Sequence, residues 1–145
     1  MNDMSKTILD PLNGQLRLSN QLIISKNTIP DDLFRQYQPS NIEIWDIKNG
    51  FVHYTIRDIE LQDRFFFFSF CFFKGLLDSV TLGFKDQPGM LSWDDWSMEK
   101  GIQNRVELDH WLNNEIGFCR VFPWGKAEAY FDPKGGGSGI ALRYS

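Results

Sequence analysis

The sequence predicts an α+β fold: a mainly antiparallel, curved sheet with one long helix packed across it and a short helix near the N-terminus. Three observations predict it. Apolar residues alternate in short runs separated by turn residues, the mark of strands joined by hairpins. One segment in the second half carries apolar residues at helical spacing. The connections are short, and no Pro/Gly/Ser-rich linker divides the 145 residues, so residues 1–145 read as a single domain.

The elements follow in order. Leu16-Arg17-Leu18 and Leu22-Ile23-Ile24 flank the polar Ser19-Asn20-Gln21, which suggests a hairpin. Thr28 and Asp31 bracket Ile29-Pro30 as a capping box, and proline suits a first helical turn, so a short helix is expected over 30–37, ended by Pro39. Ile42, Ile44 and Ile47 lead to Asn49-Gly50 and a strand over 51–59. Asn-Gly tolerates positive φ at both residues and favours a type I′ turn. The strand over 64–73 is apolar on both faces, with Phe66, Phe68, Phe70 and Phe72 on one and Phe65, Phe67, Cys71 and Phe73 on the other. Such a strand reads as central and covered on both sides. Lys74-Gly75 turns the chain into a strand over 77–84.

Gln87-Pro88-Gly89 closes that region. Ser92, with Asp95 three residues on, caps a long helix that Gly117 stops. Met98, Ile102, Val106, Leu112 and Ile116 define its apolar face, with Leu108 at the edge. Residues 118–122 and 126–131 read as extended, and residues 132–137 as a turn. Ile140, Leu142 and Tyr144 alternate in a last strand.

Composition narrows the function classes. A formal net charge of −4 argues against nucleic-acid binding, which needs a basic surface. The apolar run over 65–73 is too short to span a bilayer as a helix, and the N-terminus lacks the pattern of a signal peptide. Cys71 and Cys119 sit in apolar runs and read as buried free thiols. A cytoplasmic location without membrane contact is the expectation.

The search for catalytic chemistry yields little. His53 and His110 have no cysteine or second histidine at ligand spacing, so no metal and no cofactor are expected. Lys134 precedes the glycines 135–137 and a strand follows, the reverse of a phosphate loop, so this reads as a hairpin turn. No Gly-x-Ser-x-Gly motif occurs. Asp109 falls inside the apolar arc of the long helix, with Arg105 one turn away as an ion-pair partner. Asp109 beside His110 is the best pair for an enzyme reading, and the expectation is no enzyme.

The long helix carries the other signals. Trp93, Trp96 and Trp111 project away from the expected apolar face, either onto a second packing surface or into an exposed aromatic patch. Over 86–115 the acids are Asp86, Asp94, Asp95, Glu99, Glu107, Asp109 and Glu115, against Lys100 and Arg105. That is a net −5, against −4 for the whole chain. Acids beside tryptophan suit a surface that steers and anchors a basic protein.

The tail from Trp124-Gly125-Lys126 through residues 130–140, with the preceding Leu108-Asp109-His110-Trp111-Leu112 and Glu115-Ile116-Gly117, resembles small bacterial immunity proteins of polymorphic-toxin and contact-dependent growth-inhibition systems. The resemblance covers roughly the C-terminal third. It implies a cytosolic protein that binds a cognate toxin domain and blocks it; with the acidic tryptophan-bearing helix and the absent catalytic motif, the expectation is a non-enzymatic inhibitor that occludes the toxin's active site. The resemblance transfers no binding residue. The residues nominated from the helix itself are Trp93, Asp94, Asp95, Trp96, Glu99 and Trp111. The alternatives are a small-ligand or scaffold domain, and an enzyme using Asp109 and His110.

Overall fold

A computed structural model describes residues 7–19, 22–85, 98–132 and 138–145. Strands β1 (Arg17–Ser19) and β2 (Leu22–Ile23) form the small N-terminal hairpin. Helix α1 (Pro30–Gln36) and a single 3-10 turn (Pro39–Asn41) follow. Then come β3 (Ile42–Asp46), β4 (Phe51–Leu61), β5 (Arg64–Phe73) and β6 (Leu76–Lys85). Helix α2 (Met98–Ile116), β7 (Val121–Phe122), β8 (Gly125–Phe131) and β9 (Ser138–Tyr144) complete the order.

Seven strands make one sheet in the order β3-β4-β5-β6-β9-β8-β7, and every pair is antiparallel. The chain runs β3 to β6 as a meander, crosses by α2 to the far edge, and returns inward so that β9 pairs with β6. The class is therefore α+β, with the long helix packed on one face of the sheet over β8 and β9. The N-terminal segment and α1 share that face: Leu9, Leu16, Ile24 and Leu33 are fully buried with Phe66, Phe68 and Phe70, and Phe34 meets Tyr54 edge-on at 6.1 Å.

Local chemistry differs from expectation in several places. The N-cap of α1 is Ile29, and its N–H donates to Oδ2 of Asp32, the third helical residue, at 3.0 Å. Thr28 instead accepts from the Ser25 N–H at 2.9 Å, stabilising the preceding turn. Asn49 does not take positive φ; Lys48 and Gly50 do, so this connection is not a two-residue type I′ turn. Positive φ at both residues of a two-residue loop occurs at Gln62-Asp63 and at Lys74-Gly75. Cross-strand pairing on both sides overrides the weak preference of Gln62 and Asp63. Residues 117–118 turn rather than extend, leaving Phe118 88% exposed.

Strand β5, an interior strand third from the β3 edge, has two unlike faces. Phe66, Phe68, Phe70 and Phe72 are buried beneath the helices, while Phe65, Phe67 and Phe73 are half-buried on the other side. Cover on both faces, expected from the sequence, is not what makes β5 an interior strand. The outer aromatics lie over the sheet itself: a Cβ built on Gly83 of β6 would fall 2.7 Å from the Phe67 ring. A glycine thus gives an outward phenylalanine a surface within its own sheet. Cys71 on this face is buried as expected, and burial pushes its thiol upward. Cys119 is exposed, contrary to expectation, because it lies in the open connection after α2.

Candidate partner-binding face of the long helix

Helix α2 has 19 residues, about 28 Å of length. Its orientation is fixed at both ends. At its start, Gly101 lies against β8: a Cβ there would be 2.3 Å from Phe131 Cε1, so no other residue allows this approach unchanged. The Ser138 hydroxyl of β9 donates to Gly101 O at 2.5 Å. Further along, Leu108, Trp111, Leu112 and Ile116 are buried against the sheet.

This face is rotated by about a quarter turn from the expected one, counting 100° per residue. Ile102 and Val106, placed in the core from their spacing, are 46% and 44% exposed. The reason is packing. Trp111 meets Phe66 at 5.7 Å and Phe84 at 5.8 Å between ring centroids, and its Nε1–H donates to Gln62 Oε1 at 3.0 Å. Burying that large side chain and the Gly101 contact outweighs two aliphatic residues. The side-chain spacing that nominated Trp111 as an outward anchor counted only aliphatics. Trp111 is 6% exposed and belongs to the core.

The rotation also buries Glu115, which the charge tally placed on the acidic surface. Its Oε1 accepts from the backbone N–H of Ile8 at 2.6 Å and of Leu9 at 2.9 Å, and its Oε2 from Gln62 Nε2 at 3.2 Å. Burial pushes this carboxyl above its ordinary range, against the opposing pull of those donors and of Arg17. Trp111, Gln62 and Glu115 thus form one chain of hydrogen bonds that clamps the N-terminal segment to α2 and the β4–β5 turn. A wheel drawn with Trp111 and Leu108 on the buried arc puts Glu115 between them, so this signal was present in the spacing.

The outward side of α2 carries Glu99, Ile102, Val106 and His110, with Asp109 half-exposed at its border. Asp109 is not in an apolar arc, and its ion-pair partner is Arg120 at 3.8 Å. Arg120 also donates to Gly117 O and to Asn113 Oδ1, which ties the β7–β8 end of the sheet to the helix end. Beside this pair lies an open hollow of about 300 Å³ whose charged lining is Asp109, Arg120, Lys126 and Glu128. His110 does not line it, so the two residues of the enzyme reading do not converge there. Arg120, Lys126 and Glu128 were not nominated from sequence, since only tertiary pairing brings them to α2.

Of the nominated contact residues, Glu99 is exposed on α2 and Trp111 is buried. Trp93, Asp94, Asp95 and Trp96 lie outside the described residues, as do Ser92, Asp86 and the glycine turn at 135–137. Among the described residues no group of three or more His, Cys, Asp or Glu side chains is placed to hold a metal ion. No helix among them is long and apolar enough to cross a membrane. Compared with known proteins, the chain matches no family model, no curated sequence and no solved structure.

Proposed function

We propose that this chain is a non-enzymatic binding protein of the immunity or inhibitor type, acting in the cytoplasm on a basic protein domain whose active site it occludes. One observation carries the reading: Ile102 and Val106 stand exposed on α2, one turn apart, with the charged Glu99, Arg105 and Asp109 beside them at helical spacing. Apolar anchors within a charged rim suit a protein interface, where the rim steers encounter and the anchors hold. Trp93, Asp94, Asp95 and Trp96 immediately precede α2 in the chain and extend the same composition. Trp111 is withdrawn from the set.

The test is capture of a partner from the native cell, or co-expression with the neighbouring open reading frame. A single stoichiometric protein, lost in high salt, is expected. The double variant Ile102→Asp, Val106→Asp should abolish capture while the circular dichroism spectrum stays unchanged. Charge reversal at Asp94, Asp95 and Glu99 should slow association steeply at low salt; an unchanged rate removes these acids from the interface. A small polar ligand in the Asp109–Arg120–Lys126–Glu128 hollow is the second reading, supported by the mixed charge of its lining and a volume at the lower end of ligand pockets.

A further inference from the structure

The sheet ends at β3, four strands away from β9, and among the described residues no strand pairs with its outer side. Every residue of β3 after Ile42 is exposed, including Ile44 at 56% and Trp45 at 66%. The Ile47 N–H donates inward to Phe51 O at 3.2 Å. In an antiparallel ladder alternate residues direct both backbone groups to the same neighbour. Trp45 and Glu43 therefore bond to β4, while Ile44 and Asp46 direct N–H and C=O outward. The Ile42 N–H is taken by Pro39 O, which leaves its C=O as the outward group. Such an edge is a template for another strand.

We propose that this strand is a second copy of β3, paired antiparallel across a twofold axis at Ile44, so that two sheets join into one. Symmetry and charge select the occupant and the register. A twofold axis sets one residue opposite itself. An axis at Glu43 or at Asp46 opposes like charges, which destabilises a strand pair. An axis at Trp45 sets Ile44 against the Asp46 carboxylate. At Ile44 the two isoleucines meet, exchange their backbone bonds, and each Asp46 N–H donates to the Ile42 carbonyl of the other copy. On the opposite face each Trp45 then covers the other copy's Glu43, whose carboxylate pairs with Arg57 at 3.3 Å. Indole over a guanidinium-bearing pair is a favourable contact. The strand is its own complement in this register, which a strand of arbitrary sequence is not.

The experiment is sedimentation velocity on the full chain up to about 1 mM, since a short edge gives an interface at the weak, transient end of the range. Reversible dimerisation is expected, weakened at least about tenfold by Ile44→Lys, which sets two ammonium groups face to face. Ile44 is exposed, so an unchanged circular dichroism spectrum should show that the variant folds. A second measurement uses Ile44→Cys in a Cys119→Ser background. The Cα separation in such a hydrogen-bonded pair is about 5.5 Å, within disulfide reach. Oxidation should link this variant into dimers and leave Ile23→Cys, at a comparably exposed site, monomeric. Three results overturn the proposal: a monomer throughout the concentration range, a dimer indifferent to Ile44→Lys, or equal crosslinking from Ile23. None of them bears on α2, so failure here leaves the partner-binding reading standing.

Discussion

The two faces of β5 are built from nearly the same residue type and serve different ends. Toward the helices, Phe66, Phe68, Phe70 and Phe72 are sealed by α1, α2 and the N-terminal segment. Away from them, Phe65, Phe67 and Phe73 are half-buried and lean on neighbouring strands, Phe67 across Gly83 and Phe73 against Phe51 at 4.6 Å. Residue identity alone does not say how much a phenylalanine stabilises a sheet. What lies above it does.

Substitutions should separate the faces in order of size. Phe68→Ala opens a void in the sealed layer and should cost about 3–5 kcal/mol in urea denaturation. Glu115→Ala should come next at about 2–4 kcal/mol, because it strands the Ile8 and Leu9 amides in a buried site. Phe67→Ala, on the open face, should cost about 1–2 kcal/mol, since part of its ring area already meets water. A loss equal to that of Phe68 would show that this face is covered as tightly as the other. Glu43→Gln, which weakens the exposed pair with Arg57, should change the monomer's stability by less than about 0.5 kcal/mol.

Glu115 also gives the covered side a pH dependence. Its folded carboxyl binds a proton more tightly than in the unfolded chain, because burial raises it. That contribution is fully present below the unfolded value and is lost as pH rises through the folded one. Glu115→Gln should therefore flatten the fall in urea midpoint across that window. An identical slope in the variant would assign the pH dependence to another group.

Strand positions were largely legible, because period-two alternation is a local signal: residues 64–73 were read with the bounds that β5 has. The orientation of α2 was not. Gly101 and Trp111 decide it through contacts with Phe131, Phe66 and Phe84, all distant in sequence, and a wheel of aliphatics gives those contacts no weight. The charge tally failed at Glu115 for the same reason. Its partners are backbone amides more than a hundred residues away. Turn chemistry misled in the other direction: Asn49-Gly50 advertises a type I′ turn, yet the register between β3 and β4 leaves Lys48 and Gly50, not Asn49, with positive φ.

The position of β9 between β6 and β8 sets a clock on synthesis. Strand β6 is finished at Lys85, but the strand that occupies its outer side begins at Ser138. At ribosomal speeds of roughly 5–20 residues per second, β6 waits about 3–12 s from its own completion to that of β9 with one long side unpaired. During that interval the phenylalanine-rich meander is a sheet with an open margin, the state most prone to joining its neighbours on a polysome. A chain cut before residue 138 keeps that margin permanently. Loss of β9, residues 138–144, should thus appear in cells as insoluble protein, rather than as a shorter soluble one.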